Sequence, residues 1–91
     1  MSAHVRIPTI LRTYTGGANE VQASGHNLST LLESLDADYP GIRGRILDDA
    51  GALRRFVNVY VGDDDVRFIG GLEAEGADGA KVSIIPAVAG G

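Results

Sequence analysis

The sequence contains no cysteine. That absence excludes disulfides, thiolate metal sites and a cysteine nucleophile, so any sulfur chemistry here uses no thiol of the chain's own. Long apolar runs are missing too; none approaches the roughly 20 residues that a membrane helix needs. The opening "MSAHVRIP" lacks both a basic segment and a long apolar one, and it does not read as a secretory signal. The expectation is a soluble, cytoplasmic protein without a membrane partner, monomeric when free. Lysine is nearly absent, since seven of the eight basic residues are arginine. Against twelve carboxylates they leave a formal charge of −4. The densest basic patch is Arg54-Arg55, too small for a nucleic-acid footprint, and no nucleic-acid partner is expected.

What is present suits one folded unit. Ninety-one residues make a single domain, and 44% hydrophobic content suits a packed core. From Ala3 to Leu11 the chain alternates, placing Val5, Ile7, Thr9 and Leu11 on one face of a strand, with Pro8 at an edge or bulge. "TYTGGANE" reads as a turn, and a strand follows from Glu20 to Ser24. Leu28, Leu31, Leu32 and Leu35 then share one helical face, with His26 or Asn27 as the cap and Pro40-Gly41 as the stop. Ile42, Ile46 and Leu47 are expected to cover an edge of the core.

"RFVNVYVG" predicts a strand with Val57, Val59 and Val61 inward and Phe56, Asn58 and Tyr60 outward. "DDD" at Asp63 to Asp65 reads as a turn, "VRFIGG" as a short strand, and "KVSIIP" as the last strand with Val82 and Ile84 inward. The fold class is therefore α+β: a mixed sheet of four to five strands on one main helix. A β-grasp with first and last strands adjacent and parallel is the economical arrangement. The domain should span residues 1–86, leaving 87–91 as a flexible C-terminal tail ending in Gly-Gly.

Candidate chemistry within the domain is thin. His4 and His26 are far apart in sequence, and the acidic run at Asp63 to Asp65 lacks the ligand spacing of a calcium loop. No metal site is expected. No Gly-x-Ser-x-Gly elbow and no phosphate loop occurs. These patterns predict a protein that is not an enzyme and has no catalytic residue of its own. The tail "PAVAGG" stands apart: two residues without Cβ let a backbone enter a narrow slot and carry its terminal carboxylate to a partner's active site.

On these residues the chain resembles the ubiquitin-like sulfur carrier family. The resemblance covers nearly the whole chain, through "VRIPTILRTYTGG", "LSTLLESLDADYPGI", "FVNVYVGDDDVRF" and "DGAKVSIIPAVAGG". "RRFVNVYVGDDDVRF" and "PAVAGG" are most similar to the branch that serves cysteine synthesis, whereas Ala87 stands where the molybdopterin branch commonly has a second proline. The resemblance implies an E1-like adenylating and sulfurtransferase partner that uses ATP to activate Gly91 and converts its carboxyl to a thiocarboxylate. Gly90 would give access, and Ala87, Val88, Ala89, Gly90 and Gly91 would enter partner active sites. The implied acceptor is an aminoacrylate on the pyridoxal phosphate (PLP) of a cysteine synthase. A zinc-dependent peptidase would release the cysteine. No cofactor is expected on this chain itself.

Phe56, Tyr60 and Phe68, expected on the sheet face away from the helix, form a candidate partner surface together with Arg54 and Arg55, which would meet acidic partner residues. Three other functions stay open from the residues: a molybdopterin synthase small subunit, a ubiquitin-like modifier joined to lysines, and a β-grasp interaction domain whose tail is idle.

Overall fold

A computed structural model describes residues 1–86; the expected tail, 87–91, lies outside the described residues. Five strands form the sheet: β1 (Ser2–Arg6), β2 (Glu20–Ser24), β3 (Val57–Val61), β4 (Asp64–Asp65) and β5 (Ala80–Pro86). Two helices, α1 (Leu28–Asp38) and α2 (Arg43–Ile46), lie between β2 and β3. The strand order is β2-β1-β5-β3-β4. β1 and β5 are parallel neighbours at its centre, with Val5 opposite Val82, and the other pairings are antiparallel. This is the β-grasp arrangement that the element order predicts.

The pleat sorts the side chains. Ala3, Val5, Val21, Ala23, Val57, Val59, Val61, Val82 and Ile84 are buried on one face of the sheet. The leucine stripe of α1 covers them, with Leu28, Leu31, Leu32 and Leu35 each at 0% exposure. Full burial of a leucine stabilises by about 1.5–3 kcal/mol relative to exposure, so this stripe is a large part of the fold's driving force. Ile42, Ile46 and Leu47 are buried as expected and close one end of the layer.

Local chemistry sets the helix limits. Asn27 Oδ1 accepts the Thr30 N–H at 3.0 Å, and Thr30 Oγ1 accepts the Asn27 N–H at 3.0 Å. This reciprocal box satisfies two backbone donors at the start of α1 and makes Asn27, not His26, the cap. At the other end, Asp36 Oδ1 accepts the N–H groups of Gly41 and Arg43 at 3.0 and 3.1 Å, tying α1 to α2. Gly25 is required by contact: a Cβ there would lie 2.3 Å from the Leu31 nitrogen.

Two segments depart from the sequence expectation. The first strand stops at Arg6 instead of running to Leu11, because Pro8 has no N–H for the ladder. Beyond it Thr9–Thr15 forms a 3-10 helix. Leu11 still turns inward, while Thr9 is exposed. The stretch "VRFIGG" is not a strand either. Asp64–Asp65 pairs briefly with β3, and Asp65 Oδ1 then accepts the Arg67 N–H at 2.9 Å. That bond starts a 3-10 turn over Val66–Phe68 and buries Val66. The expected turn at Asp63 to Asp65 is thus half strand.

Candidate functional site

β5 ends at Pro86, the last described residue, and the candidate site is built around it. Pro86 lies opposite Val57, the first residue of β3. On one side of it a groove of about 500 Å³ is bordered by Arg6, Pro8, Arg12, Ser83 and Ile85. On the other side a smaller groove of about 220 Å³ is bordered by Ile10, Leu11, Arg45, Arg54 and Val57. Among the described residues neither lining includes a carboxylate.

Arginine also braces this end from within. Arg67 Nη2 donates to the Val57 and Arg54 carbonyls at 2.8 and 3.1 Å, and its Nη1 donates to Asn58 Oδ1 at 2.8 Å. Arg54 Nε and Nη2 both donate to the Gly44 carbonyl, at 3.0 and 2.8 Å, joining the approach to β3 to α2. Arg12 Nε donates to the Ile7 carbonyl at 3.1 Å. The planar guanidinium offers several donors in a fixed fork, so one side chain can hold two strands of backbone together.

The three aromatic residues of the predicted partner surface lie on different elements. Tyr60 is on β3, facing away from α1 and opposite Ser83 on β5. Phe56 precedes β3 and is 55% exposed, with the Arg55 guanidinium 5.6 Å from its ring centre. Phe68, 86% exposed, belongs to the 3-10 turn rather than to the outer sheet face. Only Tyr60 of the three therefore sits on a strand, because neither Phe56 nor Phe68 is part of the ladder. Arg54 and Arg55 are exposed, but Arg54 is occupied in bracing Gly44. Gly91, Gly90, Ala89, Val88 and Ala87 lie outside the described residues.

Sequence reasoning missed Arg6, Arg12, Arg45 and Arg67, and the exposed apolar Ile10 and Ile85 beside Pro86. They are scattered along the chain, and only the β-grasp topology gathers them. One signal was available: Ile85 is an apolar residue out of phase with the inward Val82 and Ile84. The two histidines stay apart, His4 on β1 and His26 ahead of α1. Among the described residues no three metal-ligating side chains come together. No helix among them is long and apolar enough to cross a membrane.

A family model described as the ThiS family matches residues 5–91, all of the chain but its first four residues. The chain belongs to the ThiS family. Membership groups it with ubiquitin-like carriers, which are not enzymes. Among curated ThiS-type relatives, the sulfur carrier protein CysO of Mycobacterium tuberculosis is 54% identical over 93 residues, covering 100% of both chains. Two solved structures carry the likeness into three dimensions. CysO in the Amycolatopsis orientalis BexX/CysO complex superposes with a TM-score of 0.91 at 49% identity, over 98% of this chain and 99% of that one. M. tuberculosis CysO, described as an antigen, gives 0.90 at 52% identity, over 94% and 99%.

Proposed function

We propose that this protein is a sulfur carrier whose Gly91 carboxyl group is the reactive end. A carboxylate oxygen attacks the α-phosphorus of ATP on an E1-like partner, forming an acyl-adenylate and releasing pyrophosphate. Hydrosulfide supplied by the partner system then attacks the acyl carbon, AMP leaves, and loss of the S–H proton gives a thiocarboxylate on Gly91. The glycine pair matters because a Cβ near the acyl carbon would crowd the nucleotide and the incoming sulfur. The observation that carries this reading is the full-length identity of 54% to a sulfur carrier protein.

The acceptor we favour is an aminoacrylate held by PLP on a cysteine synthase. The thiocarboxylate sulfur adds to its β-carbon, and an S-to-N acyl shift leaves cysteine in amide linkage to Gly91. Hydrolysis by a zinc-dependent peptidase returns the carboxylate. ATP, PLP and zinc all belong to partners in this scheme. Residues 1–86 serve as a rigid handle and 87–91 as the segment that enters the partner.

Intact-mass analysis of the protein isolated from its own host tests the assignment. A terminus carrying sulfur in place of one oxygen supports the carrier, and an added cysteine residue supports the cysteine acceptor. Conjugates on the lysines of many proteins would instead make it a modifier. A terminus that stays unmodified in both sulfur-replete and sulfur-starved cells would refute the reading.

A further inference from the structure

Arginines gather at the Pro86 end of the sheet, where Glu20 also stands, opposite Arg6 in the β1–β2 register. At the Pro86 end, Arg6 and Arg12 border one groove and Arg45 and Arg54 the other, while Arg67 reaches back to Val57 and Arg54. The chain from Gly62 to Gly79, which links β3 to β5, carries Asp63, Asp64, Asp65, Glu73, Glu75 and Asp78. Asp78 binds the Ser2 N–H at the start of β1, the far end of the sheet from Pro86. Among the described residues the one ion pair within 4.0 Å joins the Met1 amino group to Asp78. No described carboxylate comes within 4.0 Å of these guanidinium nitrogens, and Glu20 is the cross-strand neighbour of Arg6.

We propose that this arginine ring docks on an acidic protein surface bordering the channel that receives residues 87–91, and that the acidic pole enforces a tail-first approach. The proposal rests on the carrier reading above. Five residues reach at most roughly 17 Å, so the ring stays outside the channel while the terminal carboxyl is inside. A protein with net charge −4 is repelled overall by an acidic rim. Only the orientation that presents the ring is attracted, so the charge separation selects the productive encounter and raises its rate. The interleaved apolar surface of Ile10, Ile85 and Pro86 favours a protein over a phosphate backbone. A nucleic acid extending past the ring would also meet the acidic connections.

The test uses the full chain, the purified adenylating enzyme of the same host, and carrier-dependent ATP–pyrophosphate exchange. Arg45→Glu and Arg6→Glu change opposite grooves, and both side chains are exposed. Each should raise the carrier's KM by about tenfold at low salt with little change in kcat. Arg45→Lys should recover the native KM. Lys81→Glu makes the same charge change near the opposite end of β5 and should stay within about twofold of native. Raising salt from about 50 to about 300 mM should weaken the native protein but hardly affect Arg6→Glu/Arg45→Glu. Native KM values for the ring variants, or an equal effect from Lys81→Glu, would overturn the ring while leaving the carrier reading intact. No exchange with the native chain would overturn both. Binding of a labelled single-stranded RNA or DNA duplex that is lost in Arg45→Glu would assign the ring to nucleic acid and refute the proposal.

Discussion

Pro86 and Val57 face each other across the β5–β3 ladder, and the Val57 carbonyl is the one that the Arg67 guanidinium holds at 2.8 Å. The described end of β5 is therefore held through its ladder partner by a side chain from another segment. Asn58 joins the same brace through Oδ1, at 2.8 Å from Arg67 Nη1. The Val57-Asn58 pair, conspicuous in the sequence, thereby gains a structural role.

Arg67→Ala should loosen this corner. Loss of three exposed or half-buried hydrogen bonds costs roughly 1 kcal/mol, allowing for solvent replacement. Urea unfolding should show that loss, and amide exchange at Asn58 should speed up more than exchange in α1. Arg67→Lys should recover only part of the stability, since an ammonium cannot span two carbonyls and the Asn58 amide together.

Leu35 is the last residue of the α1 stripe and has 0% exposure. Leu35→Ala should destabilise by about 2–5 kcal/mol in a denaturant titration. Removal of residues 87–91, by contrast, should shift stability by less than about 0.5 kcal/mol, because the buried side chains described here lie within residues 3–84.

Gly25→Ala drives a methyl group against the backbone of Leu31, where rotamer changes give no relief. The expected loss is about 3 kcal/mol, the upper part of the usual overpacking range. Asn27→Ala removes one half of the capping box and should cost about 1 kcal/mol, read from the same titration. A similar value for both variants would mean that β2 can move away from α1.

The helix, the central strands and the parallel pairing were legible because their signals are local and periodic. Leu28, Leu31, Leu32 and Leu35 mark one helical face, and Val57, Val59 and Val61 mark one pleated face. The two misread segments failed for a common reason. In "VRIPTIL" the apolar alternation continues past Pro8, which ends the ladder, and in "DDDVRF" it begins at Val66, just after Asp65 has ended it. A proline without a donor and an aspartate that captures the Arg67 N–H both favour a 3-10 turn, and alternation alone does not register them. The basic end was illegible for a different reason. Arg6, Arg12, Arg45, Arg54 and Arg67 come from five separate segments, and their proximity is a product of topology rather than spacing. Gly91 shows the opposite: its proposed role is read from the likeness of the whole sequence to sulfur carriers and not from any side chain gathered around it.

The most direct measurement is the intact mass of the chain after incubation with its adenylating enzyme, ATP and a sulfur donor, beside a version with one alanine added after Gly91. The native chain should gain the mass of sulfur replacing oxygen, located on Gly91 by fragmentation, and the extended chain should gain nothing while remaining folded. Equal loading of the two, with the extra alanine still attached and no sulfur on it, would contradict the account.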